Sequence, residues 1–241
     1  MIEKAILLAA GRGSRLGALT ATTPKPLLDV AGRPIIVRIL DGLIAAGIRD
    51  FAIITGYLAE TLEAGLGNGT QSGVRITYFR QASLDGTARA LLLAREWVGE
   101  ERFFAGWGDI LVERPNYRNL VKGSRLADAA IAVNEVDDPS TGGAVYVDED
   151  FRVTRIVEKP PRGTSATRWN NAGLSILGAE IWPAINALEP SPRGEYELPA
   201  AVAALVNEGL EVRAVPIEGP WFDIGTPENL EAARRSFRRT G

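Results

Sequence analysis

A glycine-rich turn near the start of the chain is followed by side chains suited to holding phosphate. The turn Gly11–Gly13 comes directly after the apolar run Ala5–Ala9, which is short, continuous and typical of a buried strand. Glycines let backbone N–H groups approach phosphate oxygens, while Arg15 and Lys25 supply positive charge. Residues 1–40 carry six cations and two anions, whereas the whole chain has a formal net charge of −3. The sequence therefore predicts a local site for a polyphosphate.

The glycine spacing does not fit two common phosphate-binding loops. Three residues separate Gly13 from Gly17, whereas a dinucleotide-binding loop has two at that place. The stretch Thr20–Pro26 is too rich in threonine and proline for the helix that such a loop requires. A P-loop is excluded because Lys25 lies well beyond the glycines and precedes a proline. A hydride-transfer enzyme is thus the least favoured function.

The composition of the 241 residues excludes several kinds of chemistry. Cysteine is absent, which excludes disulfides, thiolate zinc sites and cysteine nucleophiles. Histidine is also absent, so any catalysis must depend on carboxylates, cations and a hard metal ion with oxygen ligands. The acidic pI of about 5.3 and the lack of a basic stripe argue against nucleic acid as a partner.

Nothing in the sequence indicates a membrane. No apolar run approaches the roughly 20 residues that span a bilayer, and no stretch is typical of a secretion signal. We therefore expect a soluble, cytoplasmic protein without a membrane partner. Self-association into a homo-oligomer is left open.

Strand and helix patterns alternate over the first half of the chain. Apolar runs typical of strands end near Thr55, Tyr78 and Gly106, and helical periodicity lies between them over Ala59–Ala64 and Thr87–Trp97. This alternation predicts an α/β fold with a Rossmann-like, mostly parallel central sheet and helices on both faces. Loops that follow parallel strands meet at the carboxyl edge of the sheet, so we expect a ligand there.

The pattern changes in the second half. Three strand-like runs follow one another, and the last two are joined as a hairpin at Asp148–Asp150. The runs are Ala129–Val136, Gly143–Val147 and Arg152–Val157. We therefore predict a smaller mixed β lobe that completes the cleft. Both parts would belong to one domain of residues 1–241, with halves of about 1–110 and 111–241.

Several short motifs together resemble those of the sugar-1-phosphate nucleotidylyltransferases, or nucleoside-diphosphate-sugar pyrophosphorylases. The opening motif of that family stands here as Leu8–Leu16, followed by Pro24–Leu27 and Gly32–Ile35. Later matches, spread over essentially the whole chain, are Gln81, Gly86–Ala88, Gly108–Asp109, Gly143, Val157–Pro160, Asn171–Gly173 and Trp221–Pro227. The resemblance implies a nucleotide-diphospho-sugar transferase fold, with a nucleotide-binding first half and a sugar-binding second half. It also implies transfer of a nucleotidyl group from an NTP to a sugar 1-phosphate, with release of pyrophosphate.

The resemblance assigns the reacting phosphates to cations and to two carboxylates. Arg15 would grip the triphosphate, Lys25 would lie nearest the reacting phosphates, and Lys159 would hold the sugar phosphate. Asp109 and Asp223 would bind Mg²⁺, a hard ion that prefers oxygen ligands, although each alone could simply terminate a turn. A phosphate monoester is already anionic at neutral pH, so this chemistry needs no histidine base.

The remaining matches would contact the nucleotide and the sugar. The nucleotide-binding residues would be Leu8, Ala10, Gly11, Gly13, Ser14, Gln81, Gly86 and Thr87, and the sugar-binding residues would be Gly143, Glu158 and Asn171. The amide of Gln81 carries a donor and an acceptor that complement uracil or thymine, so UTP or dTTP is favoured over CTP or GTP. Glucose 1-phosphate is the first choice of sugar, and phosphates of N-acetylated hexosamine, muramic acid or mannose are left open.

Two other function classes fit part of the pattern. A non-catalytic regulatory subunit that binds nucleotide sugars would be expected to lack one of the phosphate cations or metal carboxylates, and all of them are present here. A glycosyltransferase typically carries Asp-x-Asp for its metal, whereas this chain has Gly108-Asp109-Ile110. Both classes therefore rank below the nucleotidylyltransferase.

Overall fold

The computed structural model describes residues 2–239 as an α/β fold. Its strands are β1 (Lys4–Leu8), β2 (Asp29–Val30), β3 (Arg33–Pro34), β4 (Asp50–Thr55), β5 (Arg75–Arg80), β6 (Phe103–Trp107), β7 (Ile110–Val112), β8 (Ala129–Glu135), β9 (Gly143–Val147), β10 (Val153–Glu158), β11 (Trp169–Leu177), β12 (Val212–Pro216) and β13 (Trp221–Asp223). Its α-helices are α1 (Ile35–Ala45), α2 (Ala59–Leu66), α3 (Thr87–Leu92), α4 (Arg95–Val98), α5 (Arg114–Gly123), α6 (Ile181–Asn186), α7 (Leu198–Asn207) and α8 (Pro227–Arg239). Short 3-10 turns connect several of these elements.

One large sheet organises the molecule. Seven of its strands lie side by side in the order β5, β4, β1, β6, β11, β8, β12, and β11 alone among these seven runs antiparallel to its neighbours. The hairpin β9–β10 joins the N-terminal part of β11 through β9. The prediction of a mostly parallel sheet is confirmed.

Helices cover both faces of this sheet. Alternate residues of β1 enter two hydrophobic cores: Ala5 and Leu7 pack with α1, α5 and α8, whereas Ile6 and Leu8 pack with α3, α6 and α7. A strand that is buried on both faces is apolar at all its buried positions, which explains why Ala5–Leu8 show no alternation of apolar and polar residues. The prediction of helices on both faces is confirmed.

The carboxyl edge of the sheet collects the loops that carry the predicted site. The loops after β1, β5 and β6 all leave from this edge, since these strands are parallel. The antiparallel strand β11 starts at the same edge, because Leu174 pairs with Gly106 and the residues before Leu174 extend beyond β6. A small antiparallel ribbon of β7 and β13 lies apart from the large sheet.

The second half of the chain differs in detail from the prediction. Strands β8, β11 and β12 extend the first-half sheet, and the hairpin β9–β10 is attached to that same sheet.

Two helices also differ from the prediction. In the first half, the predicted helix over Thr87–Trp97 is divided into α3 and α4, because the backbone at Ala94 leaves helical geometry with φ −101° and ψ 8°. Helix α5 was not predicted, although Pro115 stands in its first turn.

The helices of residues 2–239 were also compared with the requirements of a bilayer. None of them is both long enough and apolar enough to cross a membrane.

Candidate active site

Two cavities adjoin each other at the carboxyl edge of the sheet. The first has a volume of about 350 Å³, and Arg15, Lys25, Glu158 and Asp223 are in its wall. The second has a volume of about 280 Å³ and lies beside the loop after β5. Trp107 and Asp109 line both cavities, so the two spaces meet where β6 ends.

The predicted phosphate cations lie beside glycines that make room for them. A Cβ added at Gly13 would lie 3.2 Å from Cδ of Lys25, and Lys25 itself is only 8% exposed. A Cβ added at Gly225 would lie 2.8 Å from Nη2 of Arg15. The glycine of the first loop thus packs over Lys25, and the glycine that follows β13 packs against the guanidinium of Arg15.

The ribbon β7–β13 brings the two predicted metal carboxylates together. Asp223 pairs with Ile110 in this ribbon, and the N–H of Ile224 donates to the carbonyl of Asp109 at 3.1 Å. The ammonium of Lys25 forms an ion pair with the carboxylate of Asp109. Burial and the negative charge of Asp109 raise the pKa of Asp223, although the charges of Lys25 and Arg15 oppose this effect. The two negatively charged carboxylates therefore lie close together in a partly buried site.

The donor set of this place fits a hard divalent cation. Asp109 and Asp223 supply carboxylate oxygens from neighbouring segments of backbone, and the pKa of Asp223 is raised. Both features are expected of a site that binds a positive ion. Within residues 2–239 no group of three or more acidic, histidine or cysteine side chains could hold a metal by itself. A metal here would need further ligands from a substrate or from water.

The second cavity is formed by the predicted nucleotide residues. Leu8, Ala10, Gly11, Gln81, Gly86 and Thr87 all line it. The amide nitrogen of Gln81 donates within its own loop, to Oδ1 of Asp85 at 3.2 Å and to the carbonyl of Gly86 at 3.3 Å. Gly86 has φ +119° and its Cα lies against the backbone of Tyr196, so only glycine fits there. The loop after β5 is thus held rigidly around the cavity.

The first cavity holds the predicted sugar residues. Gly143, Glu158 and Asn171 line it together, and Oε2 of Glu158 is buried without a hydrogen-bond partner. A Cβ at Gly143 would lie 3.2 Å from that same oxygen. A buried carboxylate oxygen that lacks a donor is costly, and a hydroxyl-rich ligand would satisfy it.

Three predicted residues do not line either cavity. Gly13 acts through its contact with Lys25, and the side chain of Ser14 is exposed. Nζ of Lys159 lies 3.7 Å from Oε1 of Glu158, with 39% of the side chain exposed. Its backbone has φ +44°, a left-handed conformation that is uncommon for lysine, and its N–H donates to the carbonyl of Gly142 at 2.7 Å. Lys159 is therefore held at the border of the sugar cavity.

Several wall residues were not assigned a role from the sequence. Trp107 and Trp221 line the first cavity, although only Trp221 belongs to a motif, as the first residue of Trp221–Pro227. Nε1 of Trp221 donates to the carbonyl of Ala172 at 3.0 Å, which fixes β13 against β11. Pro199, at the start of α7, also lines this cavity. Trp107 and Pro199 have no such motif, because their place in the wall depends on how distant strands meet.

Fold and site together define an α/β protein in which a glycine-rich loop follows the first strand and an acidic pair, Asp109 and Asp223, lies beside the cations Lys25 and Arg15. The chain belongs to the nucleotidyl transferase family, whose sequence profile matches residues 4–239. The resemblance that the motifs indicated is confirmed at the level of the family.

Relatives are similar over nearly the whole chain. Agl11 of Haloferax volcanii, a low-salt glycan biosynthesis nucleotidyltransferase, is 34% identical over 96% of this chain, which spans 65% of that protein. AglF of the same organism, a UTP–glucose-1-phosphate uridylyltransferase, is 34% identical over 98% of this chain and 96% of its own length. The structure of a UTP-bound UGPase from Acinetobacter baumannii superposes with a TM-score of 0.86 at 25% identity, covering 100% of this chain and 95% of that one. The fold prediction is confirmed by this likeness.

Proposed function

We propose that the protein transfers a nucleotidyl group from an NTP to a sugar 1-phosphate, giving an NDP-sugar and pyrophosphate. The observation that carries this proposal is the junction of the two cavities at Asp109, where Lys25, Arg15 and Asp223 gather. A base beside Gln81 and a sugar beside Glu158 would bring their phosphates to this junction. The name of AglF, which is matched over nearly its full length, supports the same reaction.

The residues at the junction suit charge stabilisation. In the proposed reaction a phosphate oxygen of the sugar 1-phosphate forms a bond to the α-phosphorus, and the bond from that phosphorus to the bridging oxygen of the leaving pyrophosphate breaks. The nucleophile is already ionised at neutral pH, so no base has to remove a proton. Lys25 and Arg15 would stabilise the charge on the phosphoryl oxygens and on the leaving group. A bound triphosphate would compete with Asp109 for the ammonium of Lys25.

Asp109 and Asp223 would hold Mg²⁺. When bound, this ion supplies positive charge that offsets the repulsion between the two anionic substrates. Lys25 pairs with Asp109, and a move of its ammonium toward phosphate would leave both carboxylates free to act as ligands.

The base is proposed to be uracil or thymine. Because the amide nitrogen of Gln81 is committed to Asp85 and Gly86, its carbonyl oxygen is the atom that remains for the base. N3 of uracil and thymine carries a hydrogen bond donor for this oxygen, whereas cytosine has no hydrogen on N3 and could donate only from its exocyclic amine. The sugar is proposed to be a hexose 1-phosphate, with glucose 1-phosphate as the first one to test.

The test is a grid of four NTPs against several sugar 1-phosphates with Mg²⁺, scored by pyrophosphate release. We expect turnover with UTP or dTTP, and we expect Lys25→Ala or Asp109→Asn to lower it by about 100-fold or more. Lys122 and Asp150 are exposed and outside both cavities, so Lys122→Ala and Asp150→Asn are matched controls that should keep full activity. If Lys25→Ala or Asp109→Asn turned over at the wild-type rate, the assigned roles would be refuted.

A further inference from the structure

One surface segment runs from the base cavity to the edge of the sugar cavity. We call residues 189–198, which lead from the turn after α6 into the first residue of α7, the bridging segment. Its residue Glu195 lines the base cavity. The N–H of Tyr196 donates to the carbonyl of Asp85 at 2.8 Å, and the carbonyl of Tyr196 accepts from the N–H of Ala88 at 2.9 Å. Pro199, directly after the segment, lines the sugar cavity. The bridging segment is thus fixed to the base-binding loop at a point close to the sugar.

The bridging segment also carries charged side chains near the sugar cavity. Glu197 stands two residues before Pro199, which lines that cavity together with Glu158. The side chain of Glu197 is only 12% exposed, and it forms an ion pair with Arg193, which also lies 3.6 Å from Glu195. Burial raises the pKa of Glu158 and the charge of Lys159 lowers it, while the charge of Glu197 raises it further and that of Arg193 lowers it. Arg193 is therefore the counter-ion of Glu197 on the segment.

Two neighbouring groups do not replace Arg193 as the counter-ion of Glu197. Lys159, after β10, is paired with Glu158 at 3.7 Å, and Ser191 offers Glu197 only a long hydrogen bond of 3.5 Å. Without Arg193, a poorly solvated Glu197 would repel Glu158. Glu158 would then turn away or take up a proton, and either change would spoil its unpartnered oxygen as an acceptor.

We infer that Arg193 is a positioning residue for the sugar: by neutralising Glu197, it keeps Glu158 in place to accept hydrogen bonds from sugar hydroxyls. This inference rests on the proposed function of the cavity. Arg193 is not assigned a contact with the sugar, because it does not line the cavity. Its effect should therefore fall mainly on the sugar 1-phosphate, and its longer pair with Glu195, a wall residue of the base cavity, should affect the NTP less.

The test compares Arg193→Gln, Arg193→Lys and the double variant Arg193→Gln with Glu197→Gln. We expect Arg193→Gln to raise the KM for the sugar 1-phosphate about fivefold, as for a partly exposed ion pair, with kcat unchanged and a smaller change in the KM for NTP. The lysine variant should restore the KM, since it keeps the charge. The double variant should also restore it, because it removes the repulsion together with the ion pair. Arg75→Gln, which breaks an exposed pair with Asp50, is the control and should change nothing.

The pH dependence separates positioning from a merely structural role. Because Glu197 without its counter-ion raises the pKa of Glu158, the KM of Arg193→Gln should approach the wild-type value as the pH rises. A double variant as poor as the single one, or parallel pH profiles, would show that the ion pair only supports the segment and would overturn the inference. Circular dichroism of each variant checks that it is folded.

A binding measurement keeps the two proposals distinguishable. Calorimetry with UDP-glucose and dTDP-glucose reports on the cavity without any turnover. If the wild type releases no pyrophosphate but Arg193→Gln binds these probes more weakly, the proposed reaction fails and the positioning role stands. If the wild type is active and Arg193→Gln has the same sugar KM and the same probe affinity, the positioning role fails alone.

Discussion

At the scale of single residues, the site depends on two glycines as much as on the charged side chains beside them. Gly13 leaves room for the stem of Lys25, and Gly225 leaves room for the guanidinium of Arg15. Neither glycine needs to touch a substrate to matter. A methyl group at Gly225 would lie 2.8 Å from Nη2 of Arg15, which is closer than real carbon contacts allow.

We expect Gly225→Ala to displace the guanidinium of Arg15 and to leave the fold intact, because the far end of an arginine moves at little cost. The variant should lose about tenfold in kcat/KM for the NTP while its thermal midpoint stays unchanged. In an Arg15→Ala background the same substitution should have no further effect, since the side chain it displaces is gone. An additional loss in that background, measured by pyrophosphate release, would contradict this explanation.

At the scale of elements, the ribbon β7–β13 is the part that unites the acidic pair. It has only three residues in each strand, and it is tied to the large sheet by the bond from Trp221 to the carbonyl of Ala172. This bond reaches from the ribbon to β11, the strand that also carries Asn171, and Ile110 of the ribbon packs against Gly173 of the same strand. The bond therefore helps to fix the position of Asp223 relative to the sugar residues.

We expect Trp221→Phe to lower the free energy of unfolding by about 1 kcal/mol, because the carbonyl of Ala172 loses its donor. Activity should fall further than this modest loss suggests, since Asp223 would no longer be fixed against β11. Trp97→Phe changes the same residue type on α4, outside both cavities, and should leave activity unchanged. Full activity of Trp221→Phe in the pyrophosphate assay would show that the ribbon is positioned by other contacts.

At the scale of the whole molecule, both halves of the chain share one sheet. Strand β11 pairs with β6 of the first half and with β8 of the second, and buried residues of both halves belong to the same two cores. Separating the halves would expose apolar surface on each of them. They should therefore not unfold independently.

We expect thermal unfolding to be a single transition, with the same midpoint by circular dichroism and by tryptophan fluorescence. UTP with Mg²⁺ at about 100 times its Kd should stabilise the folded state by about 2.7 kcal/mol and raise the midpoint by several degrees. GTP at the same concentration serves as the comparison and should shift it less. Two separate transitions would mean that the halves are independent domains.

Much of the first half could be predicted from local signals. The strands end within about two residues of their predicted limits because continuous apolar runs closed by polar residues are typical of parallel strands. Helix α5 was missed because its sequence is mostly polar, so that only Tyr117, Leu120 and Val121 indicate its apolar face. Asn171 was predicted as a sugar residue from its motif, but nothing in the sequence showed that Asn170 and Asn171 lie within β11, where side chains facing a cavity need not be apolar.

The sequence by itself determined the kinds of groups in the site: a glycine loop, a lysine between two prolines, isolated aspartates and no histidine. Such features are local, so neighbouring residues are enough to specify them. Only the tertiary structure decided which of these groups meet. Lys25 and Asp109 are 84 residues apart in the chain, and they form an ion pair because β1 and β6 are adjacent parallel strands. Pairings of this kind depend on the order of strands in the sheet, which long-range packing fixes and no short stretch of sequence encodes.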